Sequence, residues 1–107
     1  MKKPLTTNER EALQRLCTIA TGDSGQCRRV ATFLLAWHNA DENGKWDPRD
    51  LWALDTSIQE DVLMALSIIN NHRSYPGELG FEDQIKRIWH LWRSNQRPGA
   101  CPECGRT

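Results

Sequence analysis

The fold class follows from the stretch Gln26-Cys-Arg-Arg-Val-Ala-Thr-Phe-Leu-Leu-Ala-Trp-His38, which carries apolar side chains at helical spacing. The i, i+3, i+4, i+7 positions of a helix with one buried face are filled by Val30, Phe33, Leu34 and Trp37. Asp23 or Ser24 would cap this helix at its start. Nowhere does a run of β-branched residues alternate at a period of two. We therefore predict an all-α protein.

Helical periodicity also predicts the elements on both sides of this stretch. A first helix should begin near residue 6 or 7, because Thr6 and Glu9 have the spacing of a capping box. A short helix should follow Asp47-Pro48, an N-cap with proline at the first helical position. Two longer helices are predicted at about 56–72 and 81–94. The predicted architecture is a compact bundle of four to five helices.

The predicted helix at 56–72 has the widest apolar stripe. The residues that form it are Ile58, Val62, Leu63, Ala65, Leu66 and Ile69. We expect this helix to be the central and most buried element. Residues 75–80, which include Pro76, Gly77 and Gly80, should end it and turn the chain.

Length and composition favour one domain. The chain has 107 residues, of which 38% are hydrophobic and 26% charged, as in soluble globular proteins. We predict a helical domain at 1–95 and a flexible, cysteine-containing tail at 96–107. No run approaches the roughly 18 apolar residues of a membrane span, and the first residues lack the apolar stretch of a signal peptide. We expect a cytoplasmic protein with no membrane partner.

Charge is balanced overall but unevenly distributed. Fourteen basic and fourteen acidic residues cancel. Residues 38–61 hold seven acids and two bases, a local charge of −5, whereas 84–107 hold five bases and one acid, a local charge of +4. We expect these two segments to be solvated faces that attract one another across the fold. A bipolar surface for a partner is the alternative.

One segment has the spacing of an EF-hand calcium loop: Asn39-Ala-Asp-Glu-Asn-Gly-Lys-Trp-Asp-Pro-Arg-Asp50. Gly44 occupies the sixth position, where the loop turns sharply, and helices are predicted on both sides. The resemblance implies oxygen ligands for a divalent cation from Asn39, Asp41, Asn43, Lys45 (through its carbonyl), Asp47 and Asp50.

The ligand chemistry of this loop is weaker than its spacing. Asn39 is neutral, and Asp50 replaces the bidentate glutamate of the motif with a shorter side chain. Only weak Ca²⁺ or Mg²⁺ binding is therefore expected. The alternative is an ion-independent helix-turn-helix, because turns and helix caps select the same residue types. No cofactor is required under that interpretation.

A second candidate metal site is Cys101-Pro-Glu-Cys104-Gly, which has the form of one zinc knuckle. Zinc needs four ligands, and the remaining cysteines, Cys17 and Cys27, have no knuckle spacing. The tail could complete its shell across a dimer or by folding back on Cys17 or a histidine. The alternative is a reduced, exposed thiol pair that can form a disulfide. Cys17 itself is expected to be a small core residue.

Five tryptophans are an unusual number for this length. Trp37, Trp89 and Trp92 lie on predicted apolar stripes and should be core. Trp46 and Trp52 lie within the acidic segment, and with Tyr75 they could form an exposed aromatic patch that binds a partner. A nucleic-acid surface is a third alternative, formed by Arg28, Arg29, Lys86, Arg87 and Arg93.

A wider resemblance covers residues 5–93. It is carried by Arg29-Val-Ala-Thr-Phe-Leu-Leu-Ala-Trp-His-Asn-Ala-Asp-Glu-Asn-Gly44, by Asp50-Leu-Trp52 and by His72-Arg-Ser-Tyr-Pro76 with Leu79-Gly80. These motifs resemble a family of small helical proteins encoded on proteobacterial plasmids and integrative elements. The family's activity is unknown, so the resemblance assigns no site residue. It implies an accessory role in mobile elements, with protein or nucleic acid as partner.

These observations favour binding over catalysis. The chain has no nucleophile elbow, phosphate-binding glycine loop or His-Glu metal pair, so we do not expect an enzyme. We expect a small interaction protein that uses the acidic segment and its flanking aromatics. The alternative is a metal-binding module at 39–50 or at the tail. The sequence does not indicate an oligomeric state.

Overall fold

The computed structural model describes residues 4–94, which form a bundle of helices. Its α-helices are α1 (Thr7–Ile19), α2 (Gly25–Asn43), α3 (Thr56–His72) and α4 (Glu82–Trp89). The first 3-10 helix (Pro48–Ala53) joins α2 to α3, a second (Pro76–Leu79) joins α3 to α4, and a π-helix (His90–Ser94) follows α4. No strand occurs within 4–94. The prediction of an all-α bundle is confirmed.

Local polar bonds fix the starts of α1 and α2. Thr6 Oγ1 accepts a hydrogen bond from the Glu9 N–H at 3.1 Å, and Glu9 Oε1 accepts one from the Thr6 N–H at 2.9 Å. This reciprocal pair is the predicted capping box. Of the two caps considered for α2, Ser24 is the one used, since its Oγ accepts from the Cys27 N–H at 3.2 Å.

The end of α2 differs from the prediction. The helix was expected to end near His38 but continues to Asn43, with one non-helical residue inside it, Asn39, at φ −165° and ψ 91°. Asn39 Oδ1 accepts from the Glu42 N–H at 3.2 Å, so it caps a new helical turn over 40–43. Gly44 then ends the helix at φ 94° and ψ 165°, a backbone conformation that is open almost only to glycine.

The centre of the bundle is α2, and the prediction that α3 is the most buried helix is wrong. α2 packs against α1, α4, the second 3-10 helix and the π-helix, whereas α3 packs mainly against α1. Three predicted core residues of α3, Ile58, Leu66 and Ile69, are only partly buried, and Leu63 is 55% exposed. An apolar stripe shows which face of a helix is buried, but not how many neighbours cover it.

The acidic segment (38–61) and the basic segment (84–107) were expected to attract one another. None of the ion pairs found within the described residues joins them. The partners of the acidic segment lie elsewhere: Asp47 pairs with Arg49, Asp50 with Arg29 and Asp61 with Arg15. Lys86 pairs within α4, with Glu82. The Arg15–Asp61 pair has two hydrogen bonds of 2.8 Å and fastens α3 to α1. The acidic segment is thus partly neutralised by arginines of α1 and α2.

Candidate functional site

The residues predicted as a divalent-cation loop take several separate structural roles. Asn39 and the turn 40–43 belong to α2, so the chain does not form an irregular loop at the first four positions of the motif. Asp41 and Lys45 are exposed. Within residues 4–94 there is no group of three or more His, Cys, Asp or Glu side chains that could hold a metal ion.

Asn43 is buried, only 8% exposed, and bridges two other parts of the fold. Its Nδ2 donates to the Leu35 carbonyl at 3.1 Å, and its Oδ1 accepts from the Trp89 indole Nε1–H at 3.2 Å. In a straight helix, residues eight apart are separated by about 12 Å along the axis. The short Asn43–Leu35 bond therefore shows that the turn 40–43 folds back along α2. This amide stabilises the junction with α4.

The two aspartates at the end of the motif hold the first 3-10 helix. Asp47 Oδ1 accepts from the Arg49 N–H at 2.9 Å and so caps the helix, as predicted. Hydrogen bonding from the Arg49 side chain, and next from its backbone N–H, lowers the pKa of Asp47. Asp50 lies 3.5 Å from the Arg29 guanidinium of α2. Caps and ion pairs account for both side chains.

The predicted zinc site at Cys101 and Cys104 lies outside the described residues. Of the cysteines that could complete it, Cys17 is buried in the core as predicted, and burial raises the pKa of its thiol to about 12. Cys27 is half-buried at the start of α2, where its Sγ accepts from the Ser24 hydroxyl at 3.1 Å.

The three residues predicted to form an aromatic patch have different surroundings. Trp46 is half-buried and packs edge-on against Phe33, with ring centroids 5.0 Å apart. Tyr75 is 59% exposed and follows Ser74, whose carbonyl accepts from the Trp37 indole at 2.9 Å. Trp52 is 80% exposed, the highest value among the large hydrophobic residues described.

Trp52 and Tyr75 follow segments that contact α2 at different positions. The helix that carries Trp52 contacts Arg29, close to the start of α2, whereas Ser74, which precedes Tyr75, accepts a hydrogen bond from Trp37. At a rise of 1.5 Å per residue, these two contact points lie about 12 Å apart along the helix. No ring contact joins Trp52 to Tyr75 within the described residues.

The backbone around Trp52 is hydrogen-bonded to α2 and α3. Leu51 of its 3-10 helix packs against the core, and Leu54, the first residue after this helix, is buried. The Leu51 carbonyl accepts from the Gln59 side chain of α3 at 2.7 Å. Immediately after this helix, Asp55 exchanges two hydrogen bonds with the Gln26 amide of α2, at 2.6 and 3.2 Å. These contacts fix the backbone while the indole points outward.

The remaining tryptophans were predicted to be core residues, and each indole N–H has a partner. Trp37 and Trp92 are half-buried, and Trp92 donates to the Ala20 carbonyl at 2.6 Å. Trp89 is 37% exposed, so its prediction as a core residue is wrong, and it bonds to Asn43. The Trp89–Asn43 bond joins residues far apart in the chain, and no sequence pattern signals it.

Four bases of the predicted nucleic-acid surface, Arg28, Arg29, Lys86 and Arg87, do not form a single cluster of unpaired groups. Arg29 pairs with Asp50, and Lys86 lies 3.6 Å from Glu82. Arg28 and Arg87 are exposed on different helices, α2 and α4.

Among the helices described, none is long and apolar enough to cross a bilayer.

These features define an all-α protein in which Trp52 is the most exposed large hydrophobic residue within 4–94. Residues 10–93 match DUF7673, described as a family of unknown function. The match spans well over half of the chain, and the chain belongs to this family. No curated protein and no solved structure matches it.

Proposed function

We propose that this protein is a helical interaction module that binds a protein partner through the surface centred on Trp52. The observation that carries the proposal is the 80% exposure of an indole whose neighbouring backbone is hydrogen-bonded to both α2 and α3. We further propose an accessory role in the biology of a mobile genetic element. That part rests on the sequence resemblance over residues 5–93.

The exposure of Trp52 has an energetic argument. Burying most of an indole contributes a free energy on the order of 4 kcal/mol at 25 cal/mol per Å². The isolated chain leaves Trp52 exposed and so lacks this contribution. Tryptophan is also enriched among the few residues that contribute most to protein interfaces. Hydrogen bonds from the neighbouring backbone to α2 and α3 reduce the entropy that the segment would lose on binding. The exposure of the indole and these bonds together favour a binding role.

The proposal is for a binding protein that is not an enzyme and requires no metal cofactor. The oxygen atoms predicted as ligands on Asn39, Asn43, Asp47 and Asp50 already take part in bonds to protein groups. An ion at residues 39–50 would have to displace several of these bonds.

Quantitative affinity capture tests the interaction. The full chain, tagged, is compared with Trp52→Ala and with the matched control Leu63→Ala, which also removes an exposed apolar side chain. We expect a host-cell protein that is enriched by the wild type and the control, with recovery about tenfold lower or less for Trp52→Ala. Equal recovery by both variants, with unchanged circular dichroism, would exclude Trp52 as the binding residue.

An amide NMR titration tests the metal alternative. We expect Gly44 and Trp46 to stay unshifted at millimolar Ca²⁺ or Mg²⁺, because the turn 40–43 is held by the Asn43 bridge. Saturable shifts of these amides would establish an ion site at residues 39–50. Native mass spectrometry before and after a chelator examines Cys101 and Cys104 in the same way, and a mass loss equal to zinc would establish the tail site.

A further inference from the structure

We infer that the partner presents a cationic side chain, from arginine or lysine, to the ring of Trp52. This inference rests on the proposed function and specifies its chemistry. It follows from which charges near Trp52 are already paired within the protein and which are not.

Two bases near Trp52 are already paired: Arg49, which is close to it in the chain, and Arg29, which contacts the same 3-10 helix. Arg49 lies 2.8 Å from Asp47, and Arg29 lies 3.5 Å from Asp50. Neither guanidinium is therefore available to attract an anionic partner without breaking an existing pair. Trp52 lies on the helix that these two pairs stabilise.

Two carboxylates beside this helix have no ion pair within the described part of the chain. Asp55 follows the helix and is hydrogen-bonded only to the neutral amide of Gln26. Glu60 is exposed on α3, next to Gln59, whose side chain contacts the 3-10 helix at Leu51. Residues 38–61, which lie on both sides of Trp52 in the chain, hold seven acids and two bases, a local charge of −5.

An exposed indole in an acidic segment is expected to bind a cation. The face of an aromatic ring carries negative electrostatic potential and attracts guanidinium or ammonium groups, most strongly in tryptophan. Flanking carboxylates add to this attraction and repel phosphate groups. The same surface therefore disfavours nucleic acid. A basic segment of a protein is the ligand that fits both the ring and the charges.

NMR of the full ¹⁵N-labelled chain tests this inference with a defined probe. The probe is a short glycine-arginine peptide, and its matched control carries citrulline, which has nearly the same shape without the charge. The Trp52 indole resonance is assigned with Trp52→Phe. We expect the shifts of this resonance to give an affinity about two- to fivefold higher for the arginine peptide than for the citrulline peptide. The paired change Asp55→Asn and Glu60→Gln should weaken binding about twofold, while Asp83→Asn on α4 should not.

Several outcomes would overturn the inference. Equal shifts with the citrulline peptide would show apolar docking only, and shifts with an oligothymidine would show a nucleic-acid surface. Movement of the Trp52 resonance on dilution of the protein alone would show that a second copy occupies the site. If capture of a partner depends on Trp52 but the arginine peptide does not bind, the inference fails and the interaction module stands. If capture does not depend on Trp52, the proposed function itself fails.

Discussion

The start of α1 and residues 39–55 use the same types of side chain in different ways. At the start of α1, Thr6 and Glu9 satisfy each other's backbone groups within three residues. In residues 39–55, Asn43 bonds to Leu35 and Trp89, and Asp55 bonds to Gln26. The local bonds at the start of α1 were predicted from the sequence. The distant bonds of Asn43 and Asp55 were not, and Asn43 was predicted only as a cation ligand.

The largest expected effect comes from removing the distant bridge. Asn43→Ala leaves the buried Leu35 carbonyl and the Trp89 indole N–H without their partner. We expect the free energy of unfolding to fall by about 2–3 kcal/mol, because unsatisfied buried polar groups are costly. Urea denaturation of the wild type and of Asn43→Ala measures this difference in the free energy of unfolding.

Asn70→Ala is the control for this change, since Asn70 is exposed on α3 and should alter stability by less than about 0.5 kcal/mol. NMR should also show a shifted Trp89 indole resonance in Asn43→Ala alone. A stability loss no greater than that of the control would mean that the bridge does not hold the turn 40–43.

Removing the local cap should have a smaller effect. Thr6→Ala loses the Oγ1 acceptor of the capping box and should reduce the free energy of unfolding by about 1 kcal/mol. Thr6→Ser keeps the acceptor and should stay close to wild type. Hydrogen exchange should increase only in the first turn of α1. If Thr6→Ala proved more destabilising than Asn43→Ala, the contrast between local and distant bonds would be reversed.

The smallest effect is expected at Asp47, whose bonds are local although it lies within residues 39–55. Its pKa is lowered mainly by the Arg49 side chain, so the folded state favours the charged carboxylate. That contribution is present above the ordinary value of about 4 and is lost as pH falls through the lower folded value. Asp47→Asn should therefore have a slightly lower Tm than wild type near neutral pH.

Thermal unfolding between pH 2 and 7 checks this prediction. The difference in Tm between wild type and Asp47→Asn should be constant above about pH 5 and should close below about pH 4. A difference that does not change with pH would mean that hydrogen-bond geometry, and not charge, distinguishes the two side chains.

Most helix boundaries could be predicted because their signals are local. The capping box fixes the start of α1, and Asp47-Pro48 marks the first 3-10 helix. The bounds Thr56–His72 of α3 agree with the periodicity and with the breaker that follows it. The predicted helix at 81–94 is present, but its last turn, His90–Ser94, is a π-helix.

The errors share a physical cause. The end of α2 was misplaced because the turn 40–43 is held by contacts with Leu35 and Trp89, which periodicity does not report. α3 was ranked as central because its stripe is wide, whereas its neighbour is mainly α1. For the candidate site, Trp52 was one of three aromatics named. That Trp52 is the most exposed of the three follows from the tertiary structure, in which Leu51 and Leu54 face the core.

The sequence by itself determined the all-α class, the caps of α1 and the 3-10 helix, and the burial of Cys17, since these depend on nearest neighbours and on side-chain polarity. Tertiary structure alone decided that α2 is central, that Asn43 is a buried bridge and that Trp52 is exposed. Such properties depend on which groups from distant parts of the chain meet. The packing of helices against one another brings these groups together, and no short-range sequence pattern encodes that packing.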